Sequence, residues 1–519
     1  MDSSGGLYDA AARLSQFREL RGRGALCSTV TETLATEAAE EFLRCFTERR
    51  EYLADAITLL AEIATLDEPC LAEPGQRATF PILVERLSDS FDPRFCSLYD
   101  RAFAQMIEIC RRLPGGAKLD AALRRFGLNN AADLLARKSR IRQHRSIPAA
   151  EREKVRKVVV LSRVTLGAEV AVTSIAIQKT KRSFPNAEVV ILGSPKLHHL
   201  FGGDAQLRIR EVLYRSDGSL LERLNSWMPL LEVVAHEIGG LSPEEYIVID
   251  PDSRLLQLGL LPVAEDSRYF FLESRAFGAL GDGSMSAITL RWLNASFGGS
   301  DALLPAVNLR APDLNFARNI TSKLRASGQG SLIALSLGVG GNPQKRLPDP
   351  FEERLLLALL SSGCRLLLDK GAGEEEMRRT DILTEHLRAS GRTVIEADRF
   401  NAEEWISAPE IRCDVLTWHG EIGPFAALAG SSDEYIGYDS AGQHIAAAQG
   451  IPTVTVFTEA ATPIFQERWM PAGPGRVSLV AQQAKGRRPH TSDEVLAEVM
   501  QRHHKNSLGG SQKTNPTVE

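Results

Sequence analysis

The chain has 519 residues, of which 43% are hydrophobic and 24% are charged, an ordinary globular composition on a chain too long for one hydrophobic core. Its 61 Lys and Arg residues against 66 Asp and Glu give a net charge of −5, so no overall basic field predicts a nucleic-acid partner. The seven cysteines show no metal-ligand spacing, and neither a signal segment nor a membrane-spanning apolar run is evident. We therefore expect a multidomain cytoplasmic protein with reduced thiols and no bound metal.

Residues 1–150 are predicted to form a helical domain that ends in a linker. Apolar residues recur at helical spacing, for example in Thr33–Phe46 and Tyr52–Leu66, and breakers such as Pro69 divide the region. The Leu, Ala and Ile stripes predict a core of the domain's own, with docking of a protein partner as the alternative. The basic segments Arg137–Arg145 and Arg152–Lys157 bracket Ser146–Ala150, which is predicted to be a linker and solvated hinge.

Residues 151–328 are predicted to form a Rossmann-like domain. Val158–Leu161 is a short continuous apolar run of the kind that parallel sheets bury, and a loop and a helix separate it from Val189–Leu192. Further apolar runs follow at Tyr246–Ile249 and Tyr269–Leu272. Strands alternating with helices at this spacing predict a doubly wound parallel sheet.

Residues 329–485 are predicted to form a second Rossmann-like domain that faces the first. Its predicted strands are Ser331–Ser336, Arg365–Leu368, Thr393–Ile395, Glu434–Ile436 and Thr453–Phe457, and its predicted helices are Phe351–Ser361, Glu374–Ser390 and Pro424–Leu428. The last part, 486–519, is predicted to hold a terminal helix at Ser492–His503 and a disordered tail from Asn506.

The glycine-rich loop Leu337–Arg346 follows the first strand of the second domain. Glycines such as Gly340 let the backbone approach a phosphate closely, and Lys345 or Arg346 supplies compensating charge. The spacing matches neither GxGxxG nor GxxxxGK[ST], so dinucleotide and P-loop readings both fail. A turn of purely structural purpose remains the alternative.

Two later loops of the same domain carry polar residues at a helix start. In Asp369–Glu376, the acidic residues either complement the helix dipole or accept hydrogen bonds from ribose hydroxyls. In Gly437–His444, Asp439 and Ser440 are good N-cap types, and the free N–H groups of the helix start suit a phosphate-bearing ligand. Because all these loops follow parallel strands, together they favour a nucleotide-diphosphate site.

The first domain has fewer candidate catalytic or binding residues. Glu169 lies near a helix start after the first strand, where it is either a general base or a dipole-complementing glutamate. Asp250, Asp252 and Arg254 follow a later strand and either line an acceptor site or cap their loop. Asp250-Pro-Asp252 matches an Asp-x-Asp metal motif formally, but its place in the first domain weighs against that reading.

Four segments, in this order and separation, resemble glycosyltransferase family 9, the ADP-heptose:lipopolysaccharide heptosyltransferases and their relatives. They are Leu166–Val170, Leu335–Arg346, Gly371–Glu376 and Gly437–His444. The likeness covers residues 157–480, and its most specific part is D-[ST]-x-x-x-H followed by a small-residue helix and a G-[IV]-P strand.

The resemblance implies a GT-B fold with an acceptor domain at 151–328 and a donor domain at 329–485. It implies metal-independent, inverting transfer of a heptose-like sugar from an ADP-linked donor to a glycan or glycolipid, as in bacterial lipopolysaccharide biosynthesis. No cofactor is implied beyond this donor. The location implied is the cytoplasm, with peripheral contact at the inner membrane left open.

The resemblance also assigns donor-binding residues by position. Lys345 corresponds to the family's phosphate-contacting lysine, and Glu374 or Glu375 to its ribose-binding glutamate. The residues that correspond to the diphosphate loop are Asp439, Ser440, Gly442 and His444.

One departure concerns the catalytic base. Family members carry an aspartate directly after the glycine of the first loop, whereas this chain has Ala168 there and Glu169 next. A shift of one residue at a helix start turns the side chain by roughly 100°. Glu169 therefore either reaches back as the base or leaves the base missing, and two alternatives stay open: a nucleotide-binding scaffold acting through its helical domain, and a GT-B epimerase.

Overall fold

The computed structural model describes residues 8–509 except 216, 277–282, 327, 329, 459–460 and 484–487. The described residues form a helical region and two fully parallel sheets, one of five strands and one of seven. The predicted disorder of residues 510–519 lies outside the described residues.

The N-terminal region is helical, as predicted. Its α-helices are α1 (Ala10–Gly22), α2 (Ser28–Arg49), α3 (Ala54–Ala64), α4 (Pro69–Arg77), α5 (Glu85–Asp89), α6 (Pro93–Arg112), α7 (Ala117–Arg125), α8 (Ala131–Ile141) and α9 (Ala149–Arg152). A π-helical segment, Ala78–Val84, joins α4 to α5 and contains Pro81, which cannot donate a backbone hydrogen bond. Asp92 starts α6 by accepting a hydrogen bond from the N–H of Arg94 at 2.8 Å.

The first sheet has the strand order β3-β2-β1-β4-β5. Its strands are β1 (Lys157–Leu161), β2 (Glu188–Gly193), β3 (Leu207–Glu211), β4 (Tyr246–Asp250) and β5 (Tyr269–Phe271). The predicted strands of this domain are confirmed, but β3 was not predicted. It is an edge strand, and its alternating charged residues (LRIRE) leave it partly exposed rather than apolar.

Helices flank this sheet on both faces. They are α10 (Leu166–Ala168), α11 (Ser174–Ser183), α12 (Leu197–Phe201), α13 (Leu220–Asn225), α14 (Trp227–Ile238) and α15 (Met285–Phe297). A π-helical turn, Glu169–Thr173, lies between α10 and α11. The first helix of the domain therefore carries an irregular turn at its candidate catalytic residue.

The second sheet has the strand order β12-β11-β10-β6-β7-β9-β8. Its strands are β6 (Leu332–Ser336), β7 (Arg365–Asp369), β8 (Val394–Asp398), β9 (Val415–His419), β10 (Glu434–Tyr438), β11 (Thr453–Phe457) and β12 (Val477–Ala481). The five predicted strands are confirmed, whereas β9 and β12 were not predicted. Gly437 and Tyr438, predicted to begin a loop, complete β10 instead.

The described residues of the C-terminal half contain eight α-helices. They are α16 (Ala311–Ala326), α17 (Phe351–Ser361), α18 (Glu374–Ala389), α19 (Ala402–Ser407), α20 (Ile422–Gly430), α21 (Ala441–Ala448), α22 (Pro463–Trp469) and α23 (Ser492–Gly509). The start of the predicted tail, 506–509, is helical rather than disordered. Its residue Asn506 donates a hydrogen bond to Glu434 at 2.6 Å, which ties the end of α23 to β10.

The apolar stripes of the helical region do not form a core of their own. Phe42 and Phe103 belong to one buried cluster with Val159 and Leu161 of β1 and with Trp227 of α14. The helical region therefore covers one face of the first sheet and shares its core, which corrects the prediction of a separate core.

A second cluster joins the two sheets. It contains Val160 and Ile249 of the first sheet together with Leu367 and Trp418 of the second. A third cluster fills the other face of the second sheet, where α17, α18 and α23 pack. The two sheets are therefore bridged by continuous apolar packing.

The predicted solvated hinge is exposed at Ser146 and Pro148–Ala150, but the basic segment before it is not solvated at its start. Arg137 and Lys138 lie in α8, and each is only 2% exposed. Arg137 Nε contacts Asp266 Oδ1 at 2.8 Å, and Lys138 Nζ lies 3.7 Å from Oε1 of Glu273, which follows β5. These buried cations fasten the helical region to the first sheet, because a charge removed from water requires a partner.

Candidate functional site

The carboxyl ends of both sheets meet at one crevice. Strand order reverses between β1 and β4 in the first sheet and between β6 and β10 in the second. Ligands of open parallel sheets bind outside such switch points. Gly167, after β1, lies against α21, after β10: a Cβ added at Gly167 would lie 3.1 Å from Cδ2 of His444.

The glycine-rich loop is held by Glu376. Its Oε1 accepts hydrogen bonds from the N–H groups of Val339 at 2.8 Å and Gly340 at 3.0 Å, and its Oε2 accepts one from Ala372 at 3.2 Å. A Cβ at Gly371 would lie 2.5 Å from Oε2, so only glycine fits this approach. The loop N–H groups predicted to contact phosphate are therefore already bonded to a carboxylate.

A cavity of about 330 Å³ lies between the glycine-rich loop and the start of α18. Gly340, Glu375 and Glu376 are among its lining residues. Of the two glutamates predicted to bind ribose, Glu375 therefore lines the cavity, whereas exposed Glu374 is not among the lining residues. A larger cavity, of about 730 Å³, lies at the amino ends of the first sheet's strands and away from this crevice.

The two cations after β6 have different surroundings. Arg346 is nearly buried, and its Nε lies 3.1 Å from Oε1 of Glu352, so its charge is used within the protein. Lys345 Nζ donates a hydrogen bond to Asp439 Oδ2 at 2.7 Å while its side chain remains 31% exposed. Asp439 Oδ1 accepts a second bond, from Gln443 Nε2 at 2.8 Å. Lys345 is thus oriented at the crevice and accessible from it.

The start of α21 has the geometry of an anion site. Ser440 is its N-cap residue, and the hydroxyl does not cap the helix. Within the described residues, no hydrogen bond uses the backbone N–H groups of Ser440, Ala441 or Gly442. These groups point out of the helix start, where the dipole is positive. Burial lowers the pKa of His444 to about 4, so its imidazole is neutral at physiological pH.

Glu169 does not face the crevice, contrary to the reading of this residue as a base. Its side chain is 1% exposed, and its carboxylate accepts hydrogen bonds from the hydroxyl of Ser162 and from the N–H of Val164, the latter at 2.6 Å. Val164 has a φ of +80°, which is strained for a β-branched residue. Glu169 therefore stabilises the strained loop through these hydrogen bonds. Burial raises the pKa of its carboxyl.

The aspartates of the formal Asp-x-Asp motif are bonded to protein groups. Asp250 accepts hydrogen bonds from the hydroxyl of Tyr269 and the N–H of Ser253, and burial raises its pKa to about 6. Asp252 accepts hydrogen bonds from Ser274 Oγ at 2.6 Å and Arg275 NH1 at 2.9 Å. Both aspartates are buried, so the loop-capping reading fits Asp252 better than the predicted acceptor role.

Arg254, the other residue predicted on the acceptor side, is only partly buried. Within the described residues no hydrogen bond or ion pair at 4.0 Å or less uses its guanidinium. Its positive charge opposes the rise in the pKa of Glu85 and Asp89, two carboxyl groups of α5. The charge of Lys345 acts on both pKa values in the same direction. The helical region therefore reaches the crevice between the sheets, which no sequence pattern had indicated.

The potential metal ligands do not converge. Among the residues that the structure describes, no group of three or more His, Cys, Asp or Glu side chains is placed to hold a metal ion. Nor does any helix in the described part of the chain combine the length and apolar character needed to span a membrane.

Comparison with known proteins identifies the fold. No family model and no curated protein sequence matches the chain. Among solved structures, the glycosyl transferase family 9 protein from Veillonella parvula DSM 2008 is similar at 14% identity and a TM-score of 0.50, over 69% of this chain and 99% of that one. The two-sheet body therefore has the fold of a GT-B-like glycosyltransferase, and the resemblance to family 9 is confirmed at the level of fold.

Two Escherichia coli structures were also found. ADP-heptose LPS heptosyltransferase II is 13% identical with a TM-score of 0.44, over 68% of this chain and 99% of that one. Heptosyltransferase WaaC with ADP is 15% identical with a TM-score of 0.43, over 67% of this chain and 99% of that one.

Proposed function

We propose that the protein is a glycosyltransferase that moves a sugar from a nucleoside-diphosphate donor to a hydroxyl of a glycan or glycolipid. The observation that carries this proposal is the pairing of Lys345 with the unbonded N–H groups of Ser440, Ala441 and Gly442 at the second sheet's switch point. An ammonium group and a helix start that converge on one point suit a diphosphate. The GT-B-like fold supports the same reading.

The donor is proposed to lie along the second sheet. The cavity of about 330 Å³ beside Glu375 is of a size to take a nucleoside, and the diphosphate would extend from it towards Lys345 and α21. On binding, the Lys345 ammonium would donate hydrogen bonds both to Asp439 and to the phosphate oxygens. Because such a fixed cradle neutralises the leaving group, the reaction is proposed to need no metal and to invert the anomeric carbon.

The first sheet is proposed to carry the acceptor, in keeping with the domains at 151–328 and 329–485. A heptose-like sugar, an ADP-linked donor and a role in bacterial lipopolysaccharide biosynthesis, in the cytoplasm or peripherally at the inner membrane, are proposed from the motif resemblance. Docking of a protein partner on the helical region has no support in the packing, because its stripes cover the first sheet.

Calorimetric titration of the full chain with ADP, UDP and GDP tests this function. We expect one nucleoside diphosphate to bind with a Kd below about 100 μM in the presence of EDTA, with hydrogen-exchange protection of residues 439–446. Mass spectrometry should then show that the matching nucleotide sugar is consumed and that free nucleotide is released. Absence of binding by all three nucleotides at millimolar concentration would overturn the proposal.

A further inference from the structure

The proposed transferase reaction requires a group that takes the proton from the acceptor hydroxyl, and the described loop after β1 does not present one. Ala168 stands where family 9 places an aspartate, and the Glu169 carboxylate is enclosed by Ser162 and Val164. A general base must come within hydrogen-bond reach of the proton it removes. The loop after β1 therefore supplies no general base.

Asp89 lies at the point where the helical region meets both sheets. Its carboxyl interacts electrostatically with Arg254 and Arg275 of the first sheet's half and with Lys345 and Asp439 of the second. Since Lys345 and Asp439 form the candidate diphosphate site, the Asp89 carboxyl is coupled electrostatically to the groups of that site. Asp89 is therefore coupled to charged residues of both halves.

Packing of the next residues fixes this position. Phe91 is 2% exposed and clusters with Ala171, Val172 and Met285 of the first sheet's half. Its ring centroid lies 6.3 Å from that of Phe465 in α22, in an edge-to-face arrangement. The φ of Phe91 is +52°, a strained value for a bulky residue that its burial on both sides maintains. The end of α5 is therefore held in the crevice by contacts with both halves.

The Asp89 carboxyl has no bonding partner among the residues that the structure describes. Within the described residues no hydrogen bond or ion pair at 4.0 Å or less uses it, and the residue is only partly buried. By contrast, Asp252 is bonded to Ser274 and Arg275, and Asp439 to Lys345 and Gln443. Among these acidic residues, Asp89 is the one with free hydrogen-bonding capacity that borders the crevice.

We propose that Asp89 is the general base of the transfer reaction, supplied by the helical region in place of the aspartate missing at position 168. This inference rests on the proposed function. The acceptor O–H proton passes to the Asp89 carboxylate while the acceptor oxygen bonds to the anomeric carbon. The bond between that carbon and the diphosphate oxygen breaks at the same time, and the nucleoside diphosphate leaves with its new charge facing Lys345.

The charges around Asp89 set its pH dependence. Burial raises the pKa of Asp89 above its usual value; Arg275, Arg254 and Lys345 oppose the rise, whereas Asp439 adds to it. Glu85, one turn earlier on α5, is coupled to the same carboxyl. Activity should therefore fall on the acid side as Asp89 becomes protonated, and the acid limb should lie above the usual aspartate range.

The test measures release of ADP from ADP-heptose by the full chain, with water as acceptor. UDP-glucose or GDP-mannose replaces this donor if UDP or GDP binds more tightly. We expect Asp89→Asn to lower the rate at least 100-fold, to remove the acid limb and to leave nucleotide affinity equal or up to about fivefold tighter. Asp89→Glu should restore part of the rate, and Asp67→Asn, an exposed control in the helical region, should match wild type.

Two results would overturn the inference. One is an Asp89→Asn rate within threefold of wild type or above it, since a faster variant would mean that α5 only obstructs the phosphate site. The other is loss of activity in Glu85→Gln with none in Asp89→Asn. A wild-type chain that binds no nucleotide and releases none would instead contradict the proposed function, so the two failures are distinguishable.

Discussion

Lys345 Nζ donates a hydrogen bond to Asp439 Oδ2 over 2.7 Å and thereby links the loop after β6 to the loop after β10. The same ammonium lies 5.3 Å from the centre of the Phe465 ring. These contacts hold the cation at the second sheet's switch point, beside the N–H groups that begin α21. The pair therefore fixes the position of the lysine that we propose to contact the phosphate.

We expect Lys345→Ala to weaken binding of the preferred nucleoside diphosphate by about 10- to 100-fold, because a charge-assisted hydrogen bond contributes about 1.5–3 kcal/mol. Lys118→Ala removes an exposed lysine of α7 and is the matched control, with affinity unchanged. Calorimetric titration at two salt concentrations measures both. Equal affinities for the two variants would remove Lys345 from the phosphate site.

Glu376→Ala should loosen the glycine-rich loop. Its carboxylate accepts hydrogen bonds from Val339, Gly340 and Ala372, so the variant leaves three N–H groups without their partner. We expect a loss of about 1–3 kcal/mol in the free energy of unfolding and faster hydrogen exchange at these amides. Glu374→Ala, two residues earlier and exposed, should stay within about 0.5 kcal/mol of wild type.

His503 predicts a loss of stability in alkaline solution. Its Nδ1 lies 2.5 Å from Glu434 Oε2, and hydrogen bonds with Cys364 and Glu434 raise the pKa of the imidazole to about 9. Because the folded-state pKa is higher than the unfolded value near 6.5, the stabilisation is complete below pH 6.5 and lost as the pH rises through 9. The loss corresponds to about 3 kcal/mol.

Urea unfolding between pH 6 and pH 10 measures this effect. His503→Gln should flatten the decline seen in the wild type, whereas His504→Gln, its exposed neighbour, should keep it. A decline of the same size in His503→Gln would assign the alkaline instability to another group.

Phe91→Ala should destabilise the junction of the three units. The ring is buried against Val172 and Met285 on one side and Phe465 on the other. Loss of a buried phenylalanine side chain costs about 3–5 kcal/mol in unfolding free energy. Phe400→Ala removes a ring that is 81% exposed and should leave stability within about 0.5 kcal/mol. Chemical denaturation of the two variants compares them directly.

The sequence predicted the buried strands well because their apolar runs are local signals. β1, β2 and β6 each contain a continuous apolar run, whereas the edge strand β3 alternates arginines with apolar residues and was missed. The loops of the candidate site were predicted for the same reason, because each follows a strand of the second sheet directly. The order of strands in the sheets then brings their ends together.

Residue roles inside the loops were harder to predict. Three consecutive glutamates begin α18, and successive positions on a helix differ by roughly 100°, so only the fold shows that Glu376 turns towards the glycine-rich loop. Asp89 carries no local motif at all. Its electrostatic coupling to Lys345 and Arg254 arises only because the helical region packs on the first sheet, and these segments are far apart in the chain.

The core that the helical region shares with the first sheet determines how this chain can be divided. A fragment beginning at residue 151 would uncover apolar side chains on one face of that sheet, among them Val159, Leu161 and Val190. Such a fragment should aggregate on expression, since a large exposed apolar face drives association. The helical region is therefore not a removable module, and recombination that exchanged it for another would have to replace half of a hydrophobic core at the same time.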